Sequence, residues 1–449
     1  MWLTSHSHQV LEAAANLAKE ENWSEFGTQM PVKDPFGPAG QMDRTPAGVQ
    51  VPSSASQRDQ TCQRRRIMNA TATTNATNGM PGHRGWDITS NTCEPKAKYL
   101  KRWWFKSFDP LFKDYVLYRH CRLFPMLHNF PEVCGGQGDD RDGGDGDGNN
   151  SGGDADTDVD QQQPQRPFLL LVIKSSPSNF DRRDAIRRTW GRNGAATTTA
   201  ADGRPLVVHT LFLLGVRPPS PPSPTDSRDD DRGKRARVQR MVDLEARLHG
   251  DLLQWDFHDS FYNLTLKDIN FLRWFEAYCP AVAYVYKGDD DVFVNVENLL
   301  TYLATFSRDG SAPLFVGRTQ QQAPPIRSAE SKYFVPREMY RRWTYPDYAS
   351  GGGFVMSRAA AVRIHEVSRD IKPFPIDDVW IGMCLEKAGL AVTQHEGFRT
   401  FGLEAENLEE GVEKKSPLCI YRSSMIFHRF LPQEMLDMWV DFKNASIQC

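Results

Sequence analysis

Apolar residues are sparse up to residue 92, and from about residue 166 onward they fall into strand-length and helix-period runs. Phe168-Leu169-Leu170-Leu171-Val172-Ile173, closed by Lys174-Ser175, is a continuous apolar run of the kind a strand buried on both faces requires. Val207–Gly215 repeats that pattern, and Asp251–Phe257 predicts a third strand. Helical spacing fills the intervals: Asp181–Trp190, Val238–His249, and Leu264–Tyr278 with Ile269, Leu272 and Phe275 or Glu276 on one stripe. A further β run extends from Ala281 to Asn295. Leu314–Gly317 and Gly352–Ser357 read as short strands, and Asp378–Ala388 as a helix burying Ile381, Cys384, Leu385 and Ala388. Strands alternating with helices at these intervals predict an α/β fold with a mostly parallel, doubly wound sheet flanked by helices.

The polar stretches divide the chain. Residues 1–92, rich in Ser, Thr, Gln, Pro and Gly, and the acidic low-complexity insert 137–165 bury too little apolar surface to offset ordering entropy. Both are expected to be disordered. Residues 93–136 form an aromatic-rich lead-in, and 166–449 is the catalytic-sized domain. Pro218–Arg237 reads as a third polar patch. A net charge of −3 over 449 residues leaves no electrostatic footprint for nucleic acid, and the basic cluster Gln63–Arg66 reads as a solvated tail. The eight cysteines form no CxxC pair and no zinc spacing; they suit disulfides in an oxidising lumen or buried cytosolic thiols. Sequons beginning at Asn22, Asn69, Asn75, Asn149, Asn263 and Asn444 favour the lumen. Against that, no apolar run is long enough to span a bilayer and no signal peptide opens the chain.

Chemistry concentrates where the Ala281–Asn295 run meets Asp289-Asp290-Asp291. Ligands of open α/β sheets bind at the carboxyl ends of strands. Three adjacent carboxylates repel one another unless a cation neutralises them, and a hard divalent ion bridging to a diphosphate meets that need. A solvated acidic turn is the plainer reading, which the apolar flanks disfavour. Arg182–Trp190 offers arginines at a helix start for an anionic diphosphate or uridine, or else an ordinary charged helix face. The glycines of Ala349–Phe354 allow a backbone to approach a ligand closely, and Tyr345, Tyr348 and Phe354 would wall a pocket suited to sugar rings. Asp377-Asp378, after Pro375, either cap a helix or leave one carboxylate in a cleft as a general base; the two readings weigh equally. Lone histidines are usually structural; of His395 and His428, the latter follows apolar Ile426-Phe427 and could face the metal from a strand end.

Taken in order, these segments resemble the β-1,3-glycosyltransferases of glycosyltransferase family 31. The marks are Arg183-x-Ala185-Ile186-Arg187-x-Thr189-Trp190-Gly191, Phe212-Leu213-Leu214-Gly215, Asp289 through Asn295, Tyr345-Pro346-x-Tyr348-Ala349-x-Gly351-Gly352-Gly353-Phe354 and Asp377-Asp378-Val379. Tyr118-Arg119-His120-Cys121-Arg122-x-Phe124-Pro125, Lys287-Gly288-Asp289, Pro375 through Val379 and His395-Glu396-Gly397-Phe398 resemble its N-acetylglucosaminyl branch, nearest the keratan-sulfate-associated type. The resemblance implies a GT-A nucleotide-sugar-binding fold, UDP-GlcNAc as donor and Mn²⁺ or Mg²⁺ as cofactor. It implies inverting transfer to the 3-hydroxyl of a terminal galactose on glycoprotein glycans of poly-N-acetyllactosamine or keratan type.

Carried over by position, Asp289–Asp291 is the DxD motif, with Asp291, Asp289 and His428 as metal ligands and Asp378 as catalytic base. Arg183, Arg187, Lys287, Asp289 and Asp290 fall on the donor side, and Tyr348, Gly352, Gly353 and Asp377 on the acceptor side. Asp377 stands where the galactosyl branch often has Glu. Family members are type II Golgi membrane proteins with a lumenal catalytic domain behind a stem and an anchor. This chain carries no such anchor, and Met1–His6 reads as a displaced start or a missing first exon. The complete product is expected in the Golgi membrane, with 1–92 as its stem. Rival readings are a β-1,3-galactosyltransferase using UDP-Gal, a metal-dependent phosphohydrolase, and a non-catalytic sugar-binding module. Phosphohydrolases usually carry DxD on the first strand, whereas three predicted strands precede it here.

Overall fold

The computed structural model describes residues 86–90, 93–102, 105–106, 108–134, 167–199, 203, 205–220, 228–400, 417–446 and 449. All lie in the compact unit His83–Cys449. The expected disordered stretches fall outside them, wholly for 137–165 and, apart from 86–90, for 1–92. Strands are β1 (Met126–His128), β2 (Leu169–Lys174), β3 (Gly194–Thr199), β4 (Pro205–Val216), β5 (Leu252–His258) and β6 (Tyr284–Asp289). They continue as β7 (Val292–Val294), β8 (Phe315–Gln320), β9 (Tyr348–Ser357), β10 (Thr393–Gln394), β11 (Phe398–Arg399) and β12 (Ile426–His428).

A nine-stranded sheet runs β1-β5-β4-β2-β6-β9-β8-β10, with β3 paired to β4 off that path. The apolar run of β2 sits at its centre, every residue from Leu169 to Ile173 being fully buried. Its side chains alternate between two cores. Leu170 and Val172 pack with Ile269, Trp380 and Ile381 on one face, and Leu169, Leu171 and Ile173 with Ile186, Val242 and Leu299 on the other. Helices therefore cover both faces, as the unbroken hydrophobicity of the strand demands.

The sheet is mixed rather than mostly parallel. β5, β4, β2 and β6 run parallel, as do β8 and β10, but β9 lies antiparallel to both β6 and β8, and β1 and β3 are antiparallel to their neighbours. No helix intervenes between β8 and β9, and without a crossover a returning strand must pair antiparallel. The Ala281–Asn295 run is likewise divided: β6 ends at Asp289, and β7 joins a separate three-stranded sheet, β11-β12-β7. The second half of the polar patch, from Arg228, is instead the start of the helix Arg228–His249. Acidic residues in its first turn suit the helix dipole, and Lys234–Asp230 (3.2 Å) and Arg235–Asp231 (3.1 Å) pair one turn apart.

Chain order places the site. From β2 the chain moves through β4 to β5 on one side of the sheet, then returns to lay β6 on the other side of β2. The carboxyl ends of β2 and β6 thus form a topological switch point, where open α/β sheets bind ligands. Disulfides Cys93–Cys121, Cys134–Cys279 and Cys419–Cys449 close the outer segments, Cys384 is a buried free thiol, and Cys62 lies outside the described residues.

The helix Asp377–Ala388 docks on the start of β9 through Gly382, where an added Cβ would meet Tyr348 Cβ at 2.7 Å and the Asp347 carbonyl oxygen at 2.9 Å. Gly382→Ala sets a helix-propensity gain of about 1 kcal/mol against an overpacking cost of about 1–3 kcal/mol. Because Cβ and backbone atoms cannot swing aside, overpacking wins. Chemical denaturation of the variant should show a net loss of stability, and an unchanged or raised midpoint would contradict this docking.

Candidate active site

At the switch point Lys174 and Asp289 are register partners on β2 and β6. Lys174 Nζ lies 2.9 Å from Asp289 Oδ1 and donates to Asp377 Oδ2 at 2.6 Å. Burial opposes its charge, but the carboxylates of Asp289 and Asp377 hold its pKa well above the ordinary lysine value. Lys287, on β6, approaches Asp377 at 3.7 Å and pairs closely with buried Asp268. Burial raises the Asp268 carboxyl to about 6 despite that lysine. Two lysines and several carboxylates therefore form one buried charge network.

Asp290 turns to the other side. Its Oδ2 accepts from Ser175 Oγ at 2.7 Å and Asn179 Nδ2 at 2.8 Å, both just after β2. Ser175 Oγ in turn accepts from Arg183 Nη1 at 3.0 Å. Arg183, 0 % exposed, is clamped by both Glu245 oxygens (2.8 and 2.6 Å) and donates to the Ser176 and Pro177 carbonyls. Arg187 completes that layer, reaching Asp251 at 2.7 and 2.9 Å and Glu245 at 2.7 Å.

Asp291 is met by the small sheet. β12 pairs with β7 so that His428 stands opposite Val292, bringing His428 Nε2 to 3.1 Å from Asp291 Oδ1. The ring is oriented from behind, its Nδ1 lying 3.1 Å from the Thr400 carbonyl, which leaves Nε2 facing the carboxylates. Gly352, at φ +100°, brings β9 against the same ring, where an added Cβ would stand 3.4 Å from His428 Cγ. Ligating atoms of Asp289, Asp291 and His428 all lie within 4.8 Å of one another. Two carboxylates and an imidazole with its second nitrogen fixed are a donor set that suits a Mn²⁺- or Mg²⁺-sized cation.

Asp378 begins the helix beside Asp377, with its Oδ2 2.9 Å from where a Cβ on Gly351 would stand. A side chain on Gly351 would press on that carboxylate. The adjacent acids titrate far apart. Burial would raise both, but Lys174 and Lys287 pull Asp377 down to about 2. Asp378 is pushed up to about 8 by burial and by the neighbouring charge of Asp377. Half-buried Tyr348, packed one helical turn along at Gly382, completes this wall; its phenol is pushed up to about 12, chiefly by burial and then by Asp378.

The structure thus gathers Asp289, Asp291 and His428 at one locus and Asp378, Gly351 and Tyr348 at an adjoining one. Four residues expected to meet substrate directly are placed otherwise. Arg183 and Arg187 spend their guanidiniums on Glu245 and Asp251, Lys287 pairs with Asp268, and Asp377 is claimed by Lys174. Buried charges require partners, and these pairs supply them. Gly353 lies under the Tyr286 ring, and the Tyr286 hydroxyl donates to the Gly352 carbonyl at 3.2 Å. His395 packs edge-on against Tyr302 and accepts from the Gly397 N–H at 3.0 Å, apart from the cluster. Lys174, Ser175, Asn179, Asp268 and Thr400 are site or support residues that the sequence reading missed. Only Lys174 left a signal, as the one charged residue closing a fully apolar strand.

A family profile described as Galactosyltransferase matches residues 181–396. The chain is 40 % identical over 368 residues, 82 % of this chain and 80 % of the relative, to rat UDP-GlcNAc:betaGal beta-1,3-N-acetylglucosaminyltransferase 7. It is 40 % identical over 338 residues to human N-acetyllactosaminide beta-1,3-N-acetylglucosaminyltransferase 3, covering 75 % of this chain and 77 % of that one. Human acetylgalactosaminyl-O-glycosyl-glycoprotein beta-1,3-N-acetylglucosaminyltransferase is 38 % identical over 346 residues, 77 % of each chain.

Replacing Lys174 with Met leaves buried Asp377 and part-exposed Asp289 without their shared cation. Removal of one partner from a buried ion pair should cost about 3–5 kcal/mol in urea denaturation, and a loss under about 1 kcal/mol would refute the bridge. Asp378 makes the opposite prediction. Its pKa is raised from 3.8 to about 8 on folding, so ionising it penalises the folded state progressively from about pH 4 upward and fully above about pH 8. Asp378→Asn should therefore be more stable than the parent at pH 9, by about 1–3 kcal/mol, with the difference vanishing toward pH 4. Melting curves across that range give the test, and a pH-independent difference would contradict the raised pKa.

Proposed function

Because the chain belongs to the galactosyltransferase family, we propose that it transfers N-acetylglucosamine from UDP-GlcNAc to the 3-hydroxyl of a terminal β-galactose. The relatives' names supply the donor and the linkage; keratan-type or poly-N-acetyllactosamine chains are the acceptors we favour. We read the mixed sheet with its DxD at the switch point as a GT-A fold. One observation supports the reading above others: Asp289, Asp291 and His428 converge on one side of Lys174, and Asp378, with its raised pKa, stands on the other.

Inversion at the anomeric carbon needs a single displacement. The Asp378 carboxylate takes the proton of the acceptor 3-hydroxyl as that oxygen bonds to the anomeric carbon, and the bond to the diphosphate oxygen breaks with its electron pair leaving on UDP. A pKa near neutrality suits a base that must accept this proton and later release it. What a divalent cation held by Asp289, Asp291 and His428 contributes is Lewis-acid stabilisation of the departing diphosphate. Asp290, fixed by Ser175 and Asn179, keeps the turn between β6 and β7 rigid, and Tyr348 walls the acceptor side. Holding both substrates in line supplies much of the rate. Three disulfides suit an oxidising compartment, and a lumenal Golgi location is proposed with the activity. Among the described residues no helix is long and apolar enough to cross a membrane.

With UDP-GlcNAc and a β-galactoside, transfer should require Mn²⁺ or Mg²⁺ and be lost on chelation. Asp378→Asn should lower kcat by about 10²–10⁴-fold while UDP affinity holds. Undiminished transfer by that variant would refute the base, preferential use of UDP-Gal would move the chain to the galactosyl branch, and acceptor-independent UDP release would favour hydrolysis.

A further inference from the structure

The helix Asp377–Ala388, which carries the base, begins without the group that commonly fixes a helix start. Its N-cap is apolar Ile376, and no side chain hydrogen-bonds the first turn there. First-turn N–H groups have no partner within their own helix, so a start without a cap takes its position from elsewhere. Pro375, one residue earlier, has no N–H to anchor the approach. Lys174 binds Asp377 at 2.6 Å, which fixes one point of the helix start but not the direction in which it leaves. That direction is set by whatever holds the chain just before Pro375.

The stretch before Pro375 is gripped by its carbonyls. Phe374 accepts from Thr265 Oγ1 at 2.6 Å. Pro373 accepts twice, from the Tyr115 hydroxyl at 2.8 Å and from Arg119 Nη2 at 3.0 Å. Further back, Arg122 spans the end of the helix Arg358–Ser368, donating from Nη1 to the Ile371 carbonyl and from Nη2 to the Ser368 carbonyl, both at 2.7 Å. All but the Thr265 bond come from one short segment of the lead-in, 246 to 258 residues away along the chain. That segment is itself braced. Asp109 caps the helix Pro110–Tyr118, accepting from the Leu111 N–H at 2.8 Å, and Phe112 and Tyr115 are buried with Phe105 and Phe108. Cys121, between the two arginines, is joined to Cys93. Charge-assisted bonds from a guanidinium to backbone carbonyls are strong for neutral acceptors, and they hold main chain rather than a side chain. Neither the metal locus nor the base gives the Tyr118–Arg122 motif a task; these bonds do.

We infer that Arg119, with Tyr115 and Arg122, is a positioning residue for the base: the lead-in clamps residues 368–373 and thereby sets where Asp378 stands toward the acceptor hydroxyl. The inference rests on the transferase reading above and makes the lead-in, which lies outside the profile-matched residues 181–396, part of the catalytic unit. The metal locus is built separately, from β6, its turn into β7, and β12, so the clamp acts on proton transfer rather than on donor binding. Its test compares the parent with Arg119→Met, Arg119→Lys and Tyr115→Phe, each with UDP-GlcNAc, Mn²⁺ and a β-galactoside. Arg119→Met should lower kcat about tenfold and leave KM for UDP-GlcNAc within about twofold, because a misplaced base costs rate and not donor affinity. Arg119→Lys, which keeps a cationic donor, should recover most of that loss. Tyr115→Phe, which removes one hydroxyl from the same carbonyl, should lose about threefold in kcat. Calorimetric titration with UDP should show full occupancy in every variant, which separates a displaced base from a fraction of unfolded chain. Undiminished kcat in Arg119→Met, no recovery with lysine, or a loss matched by lost UDP occupancy overturns the inference while leaving the transferase intact. Absence of transfer by the parent overturns both.

Discussion

The structure is organised around the ammonium of Lys174. A cation at the end of a strand that is otherwise fully buried is tolerable only when carboxylates surround it. Asp289 comes to it from the neighbouring strand, and Asp377 from a helix more than eighty residues further along the chain. The lysine is therefore a tether between two segments that no local interaction would bring together. Where Asp289 goes, Asp291 follows into the reach of His428; where Asp377 goes, Asp378 follows to the wall opposite. The geometry of both loci depends on one ion triad centred on a buried lysine.

The same logic repeats one layer back. Ser175, the residue after Lys174, has its carbonyl bound by Lys267 Nζ at 2.6 Å and its hydroxyl bound by Arg183 at 3.0 Å. Lys267 is balanced by Asp259 at 2.9 Å, and Arg183 by Glu245 at 2.6 Å. Each cation fixes an oxygen of the β2 terminus and is itself neutralised from behind. The result is a carboxyl end of the sheet that holds its shape by charge alternation, in a region where apolar packing alone could not orient polar groups. Such networks depend on full satisfaction, because any member left unpaired costs its whole desolvation energy.

Much of this was legible in the sequence, and the part that was not has a physical reason. Continuous apolar runs located β2, β4 and β5, since a strand buried on both faces has no polar alternation to blur it. The carboxylates closing β6 announced the site because so many like charges beside apolar residues need an external explanation. Sheet direction departs from the expectation at β9, where the strand is legible but nothing local signals its antiparallel return. A charge on the helix Phe180–Arg188 looks the same in sequence whether it faces a ligand or, as Arg183 does, a buried Glu245. Thr400 carries no signal for the same cause: its importance lies entirely in partners distant along the chain, Ser350 and His428.

The adjacent pair Asp377-Asp378 carries the strongest argument that this arrangement is chemical as well as structural. Two carboxylates at one helix start would share a similar environment if the helix dipole were decisive. Successive helical residues instead point about 100° apart. Asp377 takes the lysine side, where two cations outweigh burial and hold it near 2. Asp378 takes the side facing Gly351 and Tyr348, where burial and the charge on Asp377 outweigh the pull of Lys174 and Lys287, giving about 8. The anion that anchors the fold is thus also the charge that makes its neighbour basic. Neutralising Asp377 would weaken the tether and lower the basicity of Asp378 together. A site that merely bound a sugar would have no use for that coupling, whereas a single displacement needs one carboxylate of near-neutral pKa on the acceptor side.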